Sequence, residues 1–159
     1  MTSNLQSTRR TSYSSASSRR TILCVDPDGL HGNNLYDTWQ QLRLADELHI
    51  AHSPEEAIRF LDSAGNGSGP GFPVAIVLDP DATGEETGPL VRELKHRCAA
   101  ESVPVVFWTR NGEMYRVLEG RTVDSVLEKP MILRLIHALD EACGLTIQRF
   151  DSGPGSSTK

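Results

Sequence analysis

A chain of 159 residues is long enough for one ordinary domain and too short for two, and an apolar content of 38% allows one sizeable core. The chain carries 16 basic and 21 acidic side chains, and four of the arginines lie within residues 1–20, so residues 21–159 have a net charge of −9. Such an acidic domain is a poor candidate for direct binding to DNA or to a membrane surface.

The two ends of the chain differ in composition from its middle. Residues 1–20 are rich in serine and arginine and contain no acid and few large apolar side chains. They therefore cannot bury enough apolar surface to compensate for the conformational entropy that folding would cost. We predict a disordered N-terminal tail over 1–20, one domain over 21–147 and a flexible C-terminal tail over 148–159. The first segment also has the composition of an organelle transit peptide, but it lacks an amphipathic period.

Short apolar runs bounded by loop residues predict five strands. Their residues are mostly apolar, as in strands that are buried on both faces of a parallel sheet. The runs cover residues 21–25, 48–51, 74–78, 103–108 and 123–127. Pro104 interrupts the fourth run early, and Asp124 and Ser125 weaken the fifth.

Apolar residues at spacings of three and four predict a helix after each strand. The stripes run over residues 35–42, 57–61, 90–98, 114–118 and 131–139. The second helix begins at Ser53, a capping residue that is followed by Pro54 and Glu56. Gly144 ends the last helix. Strands that alternate with helices in this order predict an α/β fold with a doubly wound, five-stranded parallel sheet and helices on both faces.

Polar and charged residues follow the strands at the points where they end. Because the carboxyl ends of parallel strands lie at one edge of a sheet, these side chains are expected to converge there. They are Asp26 and Asp28 after the first strand, Asp79 and Asp81 after the third, Thr109 at the end of the fourth and Lys129 after the fifth. Each residue alone would be interpreted as an ordinary turn, strand or solvated residue. A common functional site is favoured because all of them lie at the ends of predicted strands.

Clustered carboxylates repel one another and need a cation. Hard oxygen ligands of this kind suit Mg²⁺, and the candidate metal ligands are Asp26, Asp28, Asp79 and Asp81. A metal ion and Lys129 beside a carboxylate and a hydroxyl are the groups that stabilise a phosphoryl group during its transfer. Asp79 is then the candidate nucleophile.

The cysteines and the hydropathy pattern indicate the cellular compartment of the protein. Cys24, Cys98 and Cys143 lie far apart and match neither a metal-ligand spacing nor a disulfide framework, which favours buried free thiols in a reducing compartment. No apolar run approaches the roughly 20 residues that a membrane span needs, and the N-terminus lacks the apolar segment of a secretory signal. We expect a cytoplasmic protein without a membrane span.

Four segments of this chain resemble the signature segments of the receiver domains of two-component response regulators. They are ILCVD at 22–26, VLD at 77–79, VVFWT at 105–109 and LEKP at 127–130, and the likeness covers residues 20–145. The resemblance implies the flavodoxin-like (βα)₅ receiver fold. It further implies phosphorylation of Asp79, a Mg²⁺ site that includes Asp26, a hydroxyl that follows phosphorylation at Thr109, and a phosphate-contacting cation at Lys129.

The resemblance also implies the partners and the mode of signalling. A histidine kinase or a histidine phosphotransfer protein would donate the phosphoryl group. The chain would catalyse only its own phosphorylation and dephosphorylation, and it would not be an enzyme with a separate substrate. The residues after Leu145 are too few for a DNA-binding helical unit, so output would come through docking to a downstream protein or through a homodimer formed by residues 111–143.

Four residues depart from the receiver pattern. Pro27 stands where the family usually has a second acid, so Mg²⁺ affinity should fall unless Asp28 reaches the site. Pro80 has no N–H to offer to a phosphoryl oxygen. Arg110 stands where the family prefers a very small residue, and its side chain would either crowd the phosphate or mimic a bound cation. Val126 replaces a common aromatic switch residue, so the usual coupling between threonine and an aromatic ring would be absent or altered.

Two functions remain open on the sequence. The retained Asp79, Thr109 and Lys129 favour a phosphorylatable single-domain response regulator. The departures favour a degenerate receiver that acts as a protein-interaction module without phosphorylation. A flavodoxin-like domain that binds a small cofactor shares the fold, but the acidic loop after the first strand argues against a phosphate-cradling site there.

Overall fold

The fold is built around one parallel sheet. The computed structural model describes residues 20–27, 29–64, 71–83, 87–98 and 103–145. The strands are β1 (Thr21–Val25), β2 (Glu47–Ala51), β3 (Ala75–Leu78), β4 (Val105–Thr109) and β5 (Ser125–Glu128). Their order across the sheet is β2-β1-β3-β4-β5, and all neighbouring pairs are parallel, as the sequence predicts.

Helices cover both faces of the sheet. They are α1 (Leu30–Gln41), α2 (Pro54–Ala64), α3 (Thr87–Arg97), α4 (Gly112–Tyr115) and α5 (Ile132–Cys143), and a 3₁₀ turn at Arg116–Leu118 continues α4. One apolar cluster packs α2, α3 and α4 onto one face of the sheet, and a second cluster packs α1 and α5 onto the other. The doubly wound α/β architecture predicted from the sequence is therefore confirmed.

Alternate residues of the strands supply the two apolar clusters. In β1, Leu23 and Val25 belong to the cluster beneath α2 and α3, whereas Ile22 and Cys24 belong to the cluster beneath α1 and α5. The same alternation divides β3 and β4 between the two clusters. This period of two, with both faces covered, explains why these strands contain almost only apolar residues.

The fourth and fifth strands begin later than the sequence predicts. β4 begins at Val105 because Pro104 has no N–H to place in a ladder of hydrogen bonds. β5 begins at Ser125, because the side chain of Asp124, and not a backbone carbonyl, accepts the hydrogen bond from the Val105 N–H. The Asp124 carboxylate accepts a hydrogen bond from the Val105 N–H at 2.7 Å, and the Asp124 N–H donates to the Val105 carbonyl at 2.8 Å.

The helix predicted over 114–118 is a single α-helical turn followed by the 3₁₀ turn. A helical stripe there would turn Met114 and Val117 inward, but the two residues are 67% and 65% exposed. Tyr115 and Leu118 pack against the core instead. The prediction was wrong on this point, because the apolar spacing of so short a helix does not decide which side of it faces the sheet.

Arg20 marks the start of the described domain. Its guanidinium lies 3.0 Å from Asp46 Oδ1 and donates to the Cys143 carbonyl at 3.0 Å. These contacts connect the start of β1 to the end of α5. The rest of the predicted N-terminal tail, residues 1–19, the last two residues of the predicted domain, 146 and 147, and the predicted C-terminal tail, 148–159, lie outside the described residues.

The three cysteines are free thiols, as their spacing predicts. Cys24 and Cys98 are buried, whereas Cys143 is only partly buried at the end of α5. Within the part of the chain that the structure describes, no helix combines the length and the apolar character needed to cross a membrane.

β5 lies at one edge of the sheet, beside the turn that follows α4. Arg116 Nη1 donates to the Val126 carbonyl at 3.0 Å, and the Glu119 carboxylate accepts from the Val126 N–H at 3.0 Å. Side chains therefore satisfy the outward-facing backbone groups of Val126, where a neighbouring strand would otherwise pair.

Candidate functional site

Backbone hydrogen bonds fix where the candidate side chains leave the carboxyl edge of the sheet. Asp26 directly follows β1, Asp79 follows β3 and Lys129 follows β5. The ladder continues through these residues, because the Asp79 N–H donates to the Val25 carbonyl at 3.2 Å and the Lys129 N–H donates to the Thr109 carbonyl at 2.8 Å. The three side chains therefore start from neighbouring positions.

Asp26, Asp79 and Lys129 form a buried ion triad at this edge. The Lys129 ammonium lies 2.7 Å from Asp79 Oδ2 and 3.1 Å from Asp26 Oδ2. The side chains of Lys129 and Asp26 are each 1% exposed, and that of Asp79 is 9% exposed. Charges removed from water to this extent need partners, so one ammonium here compensates two carboxylates.

Burial and pairing have opposite effects on the pKa of Asp79 and on that of Lys129. Burial raises the pKa of the Asp79 carboxyl above its ordinary value, and the hydrogen bond from Lys129 only partly opposes this. Burial alone would lower the pKa of Lys129, but the hydrogen bond to Asp79 and the charge of Asp26 outweigh it and raise that pKa. Lys129 therefore carries its charge at neutral pH. The Trp108 ring, whose centroid is 5.3 Å from the ammonium, adds a cation–π contact.

Asp81 and Thr109 form a second group beside the triad. The Thr109 hydroxyl donates to Asp81 Oδ2, and Asn111 Nδ2 and the Tyr115 hydroxyl each donate to Asp81 Oδ1 at 3.1 Å. Burial would raise the pKa of the Asp81 carboxyl, but these hydrogen bonds outweigh it and hold that pKa below its ordinary value. Asp81 is therefore an anionic acceptor for the segment that follows β4.

The backbone after Asp79 supplies the donor that Pro80 lacks. Pro80 begins a single helical turn, Pro80–Thr83, and the Asp81 N–H donates to Asp79 Oδ1 at 3.0 Å. One oxygen of Asp79 is thus held by the Lys129 ammonium and the other by the Asp81 backbone. Both contacts together fix the orientation of the Asp79 carboxylate.

The other departures from the receiver pattern also have defined places. Pro27 is exposed immediately after Asp26. Arg110 is exposed, and its backbone forms a hydrogen bond with Asp81. Val126 is buried in the apolar cluster beneath α2 and α3, against which the ring of Tyr115 also packs.

The four predicted metal ligands do not all meet. Asp26 and Asp79 face the same ammonium, the Asp81 side chain turns towards Thr109, and Asp28 lies outside the described residues. Within those described residues, no group of three or more His, Cys, Asp or Glu side chains is arranged to hold a metal ion. Two carboxylates still suit Mg²⁺, which commonly takes one or two such ligands and keeps several waters.

Asn111 and Tyr115 contact Asp81, and the sequence does not identify either as a site residue. Their spacing carries a weak signal, because Asn111 follows the end of β4 and Tyr115 lies four residues later, one helical turn on. Tyr115 also packs edge-to-face on Phe107, with ring centroids 5.8 Å apart. Which acid these donors reach depends on the path of the loop, and the residue pattern does not give that path.

Asp79→Asn is expected to raise the melting temperature of the protein at pH 7. Burial raises the pKa of Asp79 in the folded state, so the folded protein binds this proton more tightly than the unfolded chain does. The stability that the proton contributes is complete below the ordinary pKa of an aspartate and is lost as the pH rises through the raised pKa. Asparagine keeps the shape without the charge, so we expect a gain of a few degrees at neutral pH that disappears below about pH 4. Thermal unfolding followed by circular dichroism in metal-free buffer measures this difference.

Asp37→Asn is the matched control, because Asp37 is exposed on α1. The same chemical change there should alter the free energy of unfolding by less than about 0.5 kcal/mol. A melting temperature of Asp79→Asn below that of the parent at pH 7 would contradict the prediction.

Solved structures of receiver domains resemble this chain over most of its length. The bacteriophytochrome response regulator AtBRR matches with a TM-score of 0.64 and 21% identity, over 84% of this chain and 99% of that one. The receiver domain of a Pseudomonas aeruginosa sensor histidine kinase, with a magnesium ion coordinated in its active site cleft, gives 0.62 and 18%, over 79% and 98%. The phosphorylated cyanobacterial phytochrome response regulator RcpA gives 0.61 and 16%, over 79% and 94%.

Sequence comparisons add no relative to these structures. No protein-family model matches this chain, and no curated protein matches it. The structural matches and the strand order agree with the four sequence segments that suggested a receiver. The chain therefore has the receiver-domain fold of response regulators.

Proposed function

We propose that this chain is a single-domain response regulator that accepts a phosphoryl group on Asp79 from a histidine kinase or a histidine phosphotransfer protein. The observation that carries the proposal is the 2.7 Å hydrogen bond from the buried Lys129 ammonium to Asp79 Oδ2 at the carboxyl edge. The likeness to a phosphorylated response regulator supports it. The chain would be a signalling protein and not an enzyme with a separate substrate.

Asp79 would act as the nucleophile. A carboxylate oxygen donates an electron pair to the phosphorus of a phosphohistidine, a P–O bond forms, and the P–N bond breaks as the histidine nitrogen leaves with its electron pair. The products are an acyl phosphate on Asp79 and a free histidine on the donor protein. Lys129 stabilises the charge on the phosphoryl oxygens, and the Asp81 N–H orients the Asp79 carboxylate.

Asp26 and Asp79 would hold a magnesium ion. When bound, the ion neutralises negative charge on the transferring phosphoryl group. Pro27 offers no side-chain ligand, so we expect weaker affinity than at a site with two adjacent acids. The receiver domain from P. aeruginosa, which has a magnesium ion in its cleft, supports the assignment.

The signal would pass to a downstream protein through residues 111–143. On this part of the chain, α4 and the turn after it expose Met114 and Val117, and α5 exposes Leu133. Met114 and Val117 are three residues apart, and neighbouring exposed apolar side chains are typical of a protein-binding surface. The same surface would serve a homodimer, whereas the negative charge of the domain argues against direct DNA binding.

A second candidate function is a protein-interaction module that works without phosphorylation. Lys129 contacts both acids of the triad, so a single resident cation already reduces the repulsion between them. Pro27 removes one side-chain ligand position for a metal ion. Under this alternative, the surface at residues 111–143 would bind its partner equally well before and after exposure to a phosphodonor.

Intact-mass spectrometry after incubation with acetyl phosphate or phosphoramidate and Mg²⁺ tests the proposal. We expect one phosphoryl adduct on the parent, none on Asp79→Asn and none in the presence of a chelator. Asp37→Asn makes the same change at an exposed position and should keep the adduct. A folded parent that gains no adduct from these donors or from a panel of histidine kinases would favour the phosphorylation-independent module.

A further inference from the structure

The carboxylate of Asp81 connects the end of β4 to α4. Its Oδ2 accepts from the Thr109 hydroxyl, and its Oδ1 accepts from Asn111 Nδ2 and from the Tyr115 hydroxyl, both at 3.1 Å. Thr109 is the last residue of β4 and is fully buried, whereas Tyr115 is the last residue of α4. One side chain therefore links the end of β4 to the end of α4 by hydrogen bonds, in addition to the packing of Tyr115 on Phe107.

Asp81 is also attached to the proposed phosphoacceptor. Its backbone N–H donates to Asp79 Oδ1 at 3.0 Å, so the two acids are linked by a hydrogen bond as well as by the chain. A phosphoryl group on Asp79 would bring a charge of about −1.5 to −2 next to the Asp81 carboxylate. Asp81 therefore lies directly beside the proposed phosphoacceptor.

Thr109 can donate only one hydrogen bond, because a hydroxyl carries one hydrogen. In the structure that hydrogen bond goes to Asp81, and the Thr109 oxygen itself accepts from the Asn111 N–H at 3.0 Å. A phosphoryl oxygen on Asp79 that takes the Thr109 hydrogen must therefore break the bond to Asp81. The two acceptors compete for one donor.

We propose that Asp81 is a positioning residue that relays phosphorylation of Asp79 to α4 through Thr109 and Tyr115. This relay rests on the phosphoacceptor role proposed above for Asp79. Before phosphorylation, Asp81 holds Thr109 and Tyr115 together. After phosphorylation, Thr109 turns to the phosphoryl group, the Asp81 carboxylate loses the donor that fixes its orientation, and the hydrogen bond from Tyr115 is lost.

Tyr115 supplies the aromatic ring that position 126 lacks. Its ring packs edge-to-face on Phe107 at a centroid distance of 5.8 Å, and the core cluster beneath it contains Val126. Met114 precedes Tyr115 and is exposed, so a shift of the Tyr115 side chain changes the surface offered to a partner. The coupling between threonine and an aromatic residue then runs through α4 and not through β5.

Fluorine NMR of protein labelled with meta-fluorotyrosine tests the relay. The chain has three tyrosines, and Tyr115→Phe identifies the resonance of Tyr115. We expect this resonance to move when acetyl phosphate and Mg²⁺ are added, while that of Tyr36, on α1, stays in place. The same samples are examined by intact mass, so the adduct and the shift are read together.

Variants at Thr109 separate the relay from a structural role of Asp81. Thr109→Val removes the hydroxyl, and the Tyr115 resonance should then stay in place although the mass adduct forms. Thr109→Ser restores the hydroxyl and should restore the shift. An adduct on the parent with an unmoved Tyr115 resonance, or an equal shift in Thr109→Val, would overturn the relay alone. Absence of the adduct would overturn the phosphoacceptor role and the relay with it.

Discussion

Lys129→Met is expected to lower the free energy of unfolding by about 3–5 kcal/mol at pH 7, because two buried carboxylates lose their cation. Methionine keeps a similar length and is apolar, so the loss reports charge more than volume. Domains are typically stable by about 5–15 kcal/mol, so this change removes a large share of the total. Urea denaturation followed by tryptophan fluorescence measures it.

The pH dependence of Lys129→Met identifies the cause of its instability. Burial already raises the pKa of Asp79, and protonation of Asp79 removes one unpaired charge, so the deficit should shrink as the pH falls. The double variant Asp79→Asn/Lys129→Met should recover part of the loss at pH 7. Lys95→Met, at a partly exposed residue of α3, is the matched control and should cost less than about 0.5 kcal/mol. A deficit that is equal at pH 4 and pH 7 would contradict this account.

Phe107→Ala is expected to cost about 3–5 kcal/mol, the usual range for removing a buried aromatic side chain. Phe107 is fully buried in β4, where it pairs with Leu78 of β3 and Val126 of β5. Its loss leaves a cavity beneath the candidate site and removes the ring on which Tyr115 packs. For a domain of this size, such a loss lowers the melting temperature by more than about 10 °C, which calorimetry would detect.

Phe72→Ala makes the same change at the periphery of the same cluster. Phe72 is only partly buried there, so its removal should cost less than half as much as the removal of Phe107. Equal losses for the two variants would mean that the centre of β4 tolerates a cavity, and the packing argument for this strand would be wrong.

The meeting of Asp26, Asp79 and Lys129 could be predicted from the order of the elements. Asp26 and Asp79 directly follow a predicted strand, and Lys129 comes two residues after one. Because parallel strands end at one edge, topology alone brings the three side chains together. The almost entirely apolar composition of β1 and β4 likewise follows from burial on both faces, because alternate residues of each strand pack into the two apolar clusters. These features depend on short-range patterns and on the handedness of the fold, which the sequence specifies well.

The partners of Asp81 could not be predicted in this way. The sequence groups Thr109 with Asp79, whereas its hydroxyl donates to Asp81. The direction of a single hydroxyl depends on a side-chain rotamer and on the path of the loop before α4, and neither follows from the spacing of residues. The exposure of Met114 was also missed, because a helix of four residues is too short for its apolar spacing to show which side faces the sheet.

The side chains that cap β5 restrict how this protein assembles. Arg116 and Glu119 occupy the carbonyl and the N–H of Val126, so a strand from a second molecule finds neither group available at this edge. Joining two sheets across β5, as in a strand-exchanged dimer or a fibril, would first have to break both contacts. Association of two copies through residues 111–143 is therefore expected to rely on packing of helix side chains. If the same surface of both copies meets about a two-fold axis, it forms a closed pair and not a growing stack.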